Sequence, residues 1–248
     1  MLQSKTRWNI QTIDQDAVNV LTEKLNITPL VARLLVNRGI DTVESARSFL
    51  FMENLAFHDP FLLEGMDRAV QRIREAIERN EKILIFGDYD ADGVSSTTVL
   101  MEVLASLHAN VDYYIPNRFT EGYGPNEGAF RLAKANGIDL IITVDTGISA
   151  LKEAQVAREL GMAYIITDHH EPGPELPEAL AIIHPKLPGS AYPFKDLAGV
   201  GVALKLAHAL LGELPEKWLE IAAIGTIADL VPLKDENRLI ALMGLRKM

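Results

Sequence analysis

A chain of 248 residues that is 48% hydrophobic can bury one large core, or an α/β core with a small appendage. It has no cysteine, which excludes disulfides and thiolate metal sites, so any metal must be held by Asp, Glu or His. The net charge of −10 speaks against a broad basic face for coating nucleic acid, although carboxylates that ligate cations count as negative here and would be neutralised by them.

The opening MLQSKTRWNI has no apolar core of a secretory signal. No stretch reaches the about 18 uncharged apolar residues of a membrane span, since the longest candidate, AGVGVALKLAHALLG, carries Lys205 and His208. A soluble protein of a reducing cytoplasm, without membrane contact, is expected.

Residues 1–80 read as a helical N-terminal segment. The apolar spacing predicts helices over 16–25, 28–38 (closed by Gly39), 42–51 and 66–80. In the last of these Ala69, Ile73, Ala76 and Ile77 form a core-facing stripe. His58-Asp59-Pro60 is the expected internal joint. From residue 81 to 248 the pattern changes to strands alternating with helices. KILIFG (82–87), VDYYIP (111–116), DLIITV (139–144) and AYIIT (163–167) are short, continuous apolar runs, each followed by a turn and a helical stretch. Helices are predicted at 95–107, 127–136, 149–160, 200–211, 216–228 and 236–247. Continuous runs imply strands buried on both faces. The expected fold is therefore α/β, a doubly wound, mainly parallel sheet flanked by helices.

Ligands of such a sheet bind beyond the carboxyl ends of its strands. An acidic residue stands there three times: Asp88 after KILIFG, Asp145 after DLIITV and Asp168 after AYIIT. One such acid is an ordinary turn or cap residue; three in one sheet point to a site. In Asp88-Tyr89-Asp90-Ala91-Asp92-Gly93 three carboxylates at alternate positions repel one another unless a cation draws them together. The same pattern opens an EF-hand loop, but that loop needs a Glu at its twelfth position, which here is Val99, and it is entered from a helix rather than a strand. What remains is a carboxylate-rich turn leading into a helix, with Ser95 or Ser96 as its expected cap. Asp145 can face this turn across neighbouring strand ends. Asp168-His169-His170 joins imidazoles to an orienting carboxylate, a usual arrangement for metal ligation. Asp229, in GTIADLVP, sits at an otherwise apolar helix end where an ionised acid needs a partner.

DYDADG, VDTG, DHH and GTIADLVP, in that order, resemble the four metal-site motifs of the DHH phosphoesterase superfamily. The segments LLVNRGIDTVESARSFL, YIPNRFTEGYG, HPK and AGVGVALKLAHAL resemble its RecJ branch, so the likeness runs from about residue 28 to 245. It implies two manganese or magnesium ions, with Asp90 serving one, Asp92, His169 and Asp229 the other, Asp145 bridging them and Asp88 close by. Asp168 would orient the histidine pair, His170 would contact the scissile phosphate and Arg118 a DNA phosphate. His184-Pro185 departs from the Asn-Pro more usual at that place. The implied activity is 5′→3′ hydrolysis of single-stranded DNA to mononucleotides in recombination and repair, with single-strand-binding protein and a helicase as candidate partners. The alternatives are a phosphoesterase of the same superfamily acting on short oligonucleotides, cyclic dinucleotides or pyrophosphate, and a non-catalytic nucleic-acid-binding module. The resemblance also implies a DHH-associated domain and an OB-type domain beyond this core. Neither pattern occurs here, and the chain is expected to be a fragment.

Overall fold

Each of the first three helices begins where a short polar side chain can accept a hydrogen bond from the helix's free amides. In the computed structural model, which describes residues 12–248, these are α1 (Gln15–Leu25), capped by Asp14, α2 (Pro29–Val36), capped by Thr28, and α3 (Val43–Phe51), capped by Thr42. They enclose a small core of Val18, Leu21, Leu25, Ala32, Leu35, Ile40 and Ala46.

The chain divides into two compact units between Leu55 and Ala56. The joint therefore falls just before His58-Asp59-Pro60, and the helical segment expected to end at residue 80 is split. The helix α4 (Met66–Glu78) packs its apolar stripe Met66, Ala69, Val70, Ile73 and Ala76 into the core of the second unit. Its periodicity marks a buried face but not the core that face meets.

The second unit is built on five strands, β1 (Lys82–Phe86), β2 (Asn110–Tyr114), β3 (Ile138–Val144), β4 (Ala163–Thr167) and β5 (Ala181–Ile183), in the order β2-β1-β3-β4-β5 with every pairing parallel. Between them run α5 (Ala91–Ser106), α6 (Glu127–Ala135) and α7 (Leu151–Glu159), and the chain continues through α8 (Gly199–Leu211), α9 (Leu219–Ala228) and α10 (Asp235–Lys247). Alternate residues of each central strand face opposite layers. Ile83, Ile85, Leu140, Ile142 and Ile165 pack with α4, α5, α8 and α9, whereas Leu84, Phe86, Ile141, Tyr164 and Ile166 pack with α6 and α7. Two departures from expectation have simple causes. Among the described residues the run VDYYIP forms the edge strand of the sheet, and Tyr113 on it is exposed. β5 is only three residues long and follows a proline-rich loop, too short to show a period.

Strand order reverses between β1 and β3, so crossovers leave this point in opposite directions and open a crevice above it. The wall opposite the sheet is pinned by a buried polar cluster. Glu236, fully buried on α10, accepts from Lys205 Nζ at 2.8 Å, from the His58 amide at 3.1 Å and from the Tyr192 hydroxyl. Lys205, equally buried on α8, also donates to the His58 carbonyl. Asn237 reaches from α10 to the carbonyls of Asp196 and, at 3.1 Å, Pro232, joining the segments that lead into α8 and out of α9.

Candidate metal centre

The crevice collects the acids at the strand ends. Asp88 follows β1 and accepts from the Tyr89 amide at 2.7 Å. Asp90 caps α5, accepting from the Gly93 amide at 2.9 Å, and so takes the place expected for Ser95 or Ser96. Both serines instead lie inside the helix, buried. Asp92, in the first turn of α5, is held at the start of α8 by the amides of Gly199 (2.7 Å) and Val200 (2.8 Å). Helix N-terminal amides and the dipole behind them favour an anion there. Asp145 follows β3 in a left-handed conformation, φ 60°, uncommon for a residue with a side chain.

His169 is the meeting point. Its Nε2 lies 3.1 Å from Asp145, 3.7 Å from Asp229 and 3.8 Å from Asp92. Asp88, Asp90 and Asp145 converge as a second group, and Asp145 also approaches His169 and His170. Buried polar atoms normally have partners. Here Asp145 Oδ1, His169 Nε2 and Asp229 Oδ2 are buried without a hydrogen bond. Three orphaned atoms with lone pairs, all hard or borderline donors, fit divalent cations.

The backbone is cleared to allow this approach. A Cβ on Gly199 would stand 2.3 Å from Asp145 Oδ1, and one on Gly93 would stand 2.6 Å from Asp88 Cβ.

Asp168 plays a different part. Its Oδ2 accepts from the Ile148 amide at 2.9 Å, and its Oδ1 from the His169 and His170 amides and from His170 Nδ1 at 2.7 Å. Burial alone would raise its pKa, but the bond with His170, its charge and these amides hold it below the ordinary value. The same bond lifts the half-exposed His170 to about 9 against the opposing effect of burial, so this imidazole is protonated at neutral pH. His184 accepts from the Lys186 amide at Nδ1 (3.0 Å) and donates from Nε2 to the His170 carbonyl (2.8 Å). Burial lowers its pKa and keeps it neutral.

Without a cation, two of the converging carboxylates resist ionisation. Burial, reinforced by Asp145, raises Asp92 to about 8; burial, reinforced by Asp90, raises Asp145 to about 9. A folded-state pKa above the unfolded one means that the fold binds more protons and loses stability as pH rises. The metal-free chain is therefore expected to melt on the order of 5 °C lower at pH 9 than at pH 6. Differential scanning fluorimetry in chelator measures this, and Asp145→Asn should flatten the slope.

Arg118 does not join the cluster of carboxylates and imidazoles. Its guanidinium lies over the Tyr89 ring, 5.2 Å from the centroid. Tyr89 meets Tyr123 edge to face at 6.4 Å, and Tyr123 meets His170 at 6.0 Å, so a row of rings borders the crevice. Sequence reading missed both tyrosines, although Tyr89 lies inside the acidic motif and Tyr123 in the segment that contains Arg118.

The "DHH family, N-terminal domain" model matches residues 82–226. The single-stranded-DNA-specific exonuclease RecJ of Bacillus subtilis is 66% identical over 248 residues, the whole of this chain and 32% of that protein. A crystal structure of Thermus thermophilus RecJ in complex with Mn2+ superposes with a TM-score of 0.79 at 32% identity, over 97% of this chain and 34% of that one. A Mg2+ complex of the same protein gives 0.66 at 28% identity, over 97% and 31%. This chain thus spans about a third of the length of these relatives. With the family model covering more than half of it, over the segment that holds six of the seven converging carboxylate and imidazole residues, this chain belongs to the DHH family.

Proposed function

We propose that this chain carries the metal centre of a single-strand-specific DNA exonuclease that uses two Mn2+ or Mg2+ ions. The observation that carries the reading is the convergence of Asp88, Asp90, Asp92, Asp145, His169 and Asp229 around three orphaned buried atoms. Asp88 and Asp90 would hold one ion, Asp92, His169 and Asp229 the other, and Asp145, common to both surroundings, would bridge them. Ions so placed supply activation of a water nucleophile and neutralisation of phosphoryl charge.

The chain's own groups do the rest. The Asp92 carboxylate is fixed by two amides and cannot swing away when a substrate enters. Asp168 holds His170 protonated and aimed from Nδ1, leaving Nε2 to donate to a phosphate oxygen or to pass a proton to the leaving 3′ oxygen. His184 fixes the backbone of His170. Arg118, with Tyr89 and Tyr123 beside it, offers a cation and ring faces to a phosphate and bases. The direction 5′→3′, release of mononucleotides, a role in recombination and repair, partnership with single-strand-binding protein and a helicase, and a cytoplasmic setting belong to the same reading.

The test is turnover by this chain, at high manganese and protein concentration, of a single-stranded oligonucleotide, the matching duplex and a dinucleotide. Preference for the single strand is expected. Hydrolysis of the dinucleotide alone would overturn the exonuclease reading in favour of a short-substrate phosphoesterase.

A further inference from the structure

Arg118 and Tyr123 border the crevice from a loop, the segment 115–126 between β2 and α6. A loop is a less precise support than a strand or helix, so side chains placed on it need a second layer of contacts. Here that layer centres on Glu121. Its Oε2 accepts from the Asn117 amide at 2.9 Å, and its own amide donates to the Asn117 carbonyl at 2.8 Å, so these two residues close the turn that contains Arg118. Its Oε1 accepts from the Tyr114 hydroxyl, at the end of β2, and from Asn126 Nδ2 at 3.3 Å. Asn126 in turn caps α6, accepting from the Ala129 amide at 2.8 Å. One carboxylate therefore ties the loop to the strand it leaves and to the helix it enters. These donors, the Asn117 amide foremost, hold its carboxyl below the ordinary glutamate range.

Neither burial nor charge accounts for an acid at this place. Glu121 is exposed, so burial does not oblige it to find partners. It stands close to Arg118 in a chain of net charge −10, where one more negative charge would repel a polyanion. Nor does it neutralise Arg118, whose guanidinium lies over the Tyr89 ring instead, 5.2 Å from the centroid. What its bonds do fix is the placement of the loop against the two motifs of the centre. Arg118 meets Tyr89 of DYDADG, and the Tyr123 ring meets His170 of DHH at 6.0 Å.

We infer that Glu121 is a positioning residue, which holds the loop so that Arg118 and Tyr123 stand at the metal centre. This assignment deepens the nuclease reading and rests on it. Charge alone predicts that removing the acid tightens DNA binding, and equally so for alanine and glutamine. Positioning predicts the reverse. KM for a single-stranded oligonucleotide should rise about tenfold in Glu121→Ala, roughly the loss of one charge-assisted phosphate contact. The dependence of log KM on log salt should become shallower by about 0.7, the share of one phosphate on a single strand. Glu121→Gln loses the charge but keeps an acceptor for the Asn117 amide, and should restore most of the parent KM.

The deciding experiment measures steady-state hydrolysis and manganese titration for the parent chain and both variants, and repeats Glu121→Ala in an Arg118→Ala, Tyr123→Ala background. Manganese binding should match the parent throughout, and in that background the loss of Glu121 should add nothing to KM. A KM for Glu121→Ala at or below that of the parent would overturn the assignment while leaving the nuclease reading intact. So would a glutamine variant as impaired as the alanine one, or a full further loss in the background that lacks Arg118 and Tyr123. Loss of manganese binding in Glu121→Ala would show a general role in the fold and overturn it as well. No hydrolysis of the oligonucleotide by the parent chain would overturn the nuclease reading and this assignment together.

Discussion

Replacing Asp145 with alanine is expected to abolish turnover, by at least about a thousandfold, and to reduce manganese binding at both positions rather than one. The reason lies in its surroundings. Asp145 approaches Asp88 and Asp90 on one side and His169, at 3.1 Å, on the other. Its Oδ1 is buried without a hydrogen bond and its close partner is His169 Nε2 at 3.1 Å, so the substitution removes a converging oxygen at the cost of that one contact. The fold should tolerate the change, and the metal-free variant should melt no lower than the parent. Loss of the Asp90 side chain, by contrast, should weaken one position more than the other and also remove the cap of α5. Single-turnover hydrolysis together with metal titration of the two variants checks both statements. Turnover of Asp145→Ala within a few-fold of the parent at saturating manganese would reject the bridging role.

The second large effect concerns stability. Glu236→Ala leaves the buried Lys205 ammonium with the His58 carbonyl but without its paired carboxylate, Asp59 and Asp235 acting on it only from farther away. Breaking a buried pair by removing one partner costs about 3–5 kcal/mol, on the order of 10 °C in melting temperature for a domain of this size. The Tyr192 hydroxyl and the His58 amide lose their acceptor as well. Adding Lys205→Met should recover a large part of the loss, since the penalty comes from the unpaired charge and not from the missing contact. Thermal melts of the single and double variants decide it. If the single variant melts within a degree or two of the parent, water reaches the ammonium and the cluster does not pin the wall.

How much of this was legible in the sequence depends on the range of the interaction. β1, β3 and β4 are continuous apolar runs because both of their faces are covered, and their ends carry acids because the crevice opens there. These are local signals. The bond between Asp168 and His170 joins second neighbours in the chain, so the pairing of that acid with an imidazole is also a local signal. The cap of α5 was misplaced, since Asp90 is at once a cap and a converging carboxylate and its chemistry concealed the simpler role. Asp229 gave a weak signal because it reaches His169 from another helix, a meeting that only tertiary packing makes. The grip of Gly199 and Val200 on Asp92, the strut from His184 to His170 and the ring of Tyr123 against His170 were invisible for the same reason. α4 was grouped with the helices before it because it is also amphipathic, and only packing shows which core it joins.

The central claim is that these carboxylates and imidazoles form a divalent-metal centre with two positions sharing Asp145. Calorimetric titration of the metal-free chain with manganese tests it most directly. Two sites per chain, both weakened by Asp145→Ala, is the predicted result; the absence of saturable binding would contradict it.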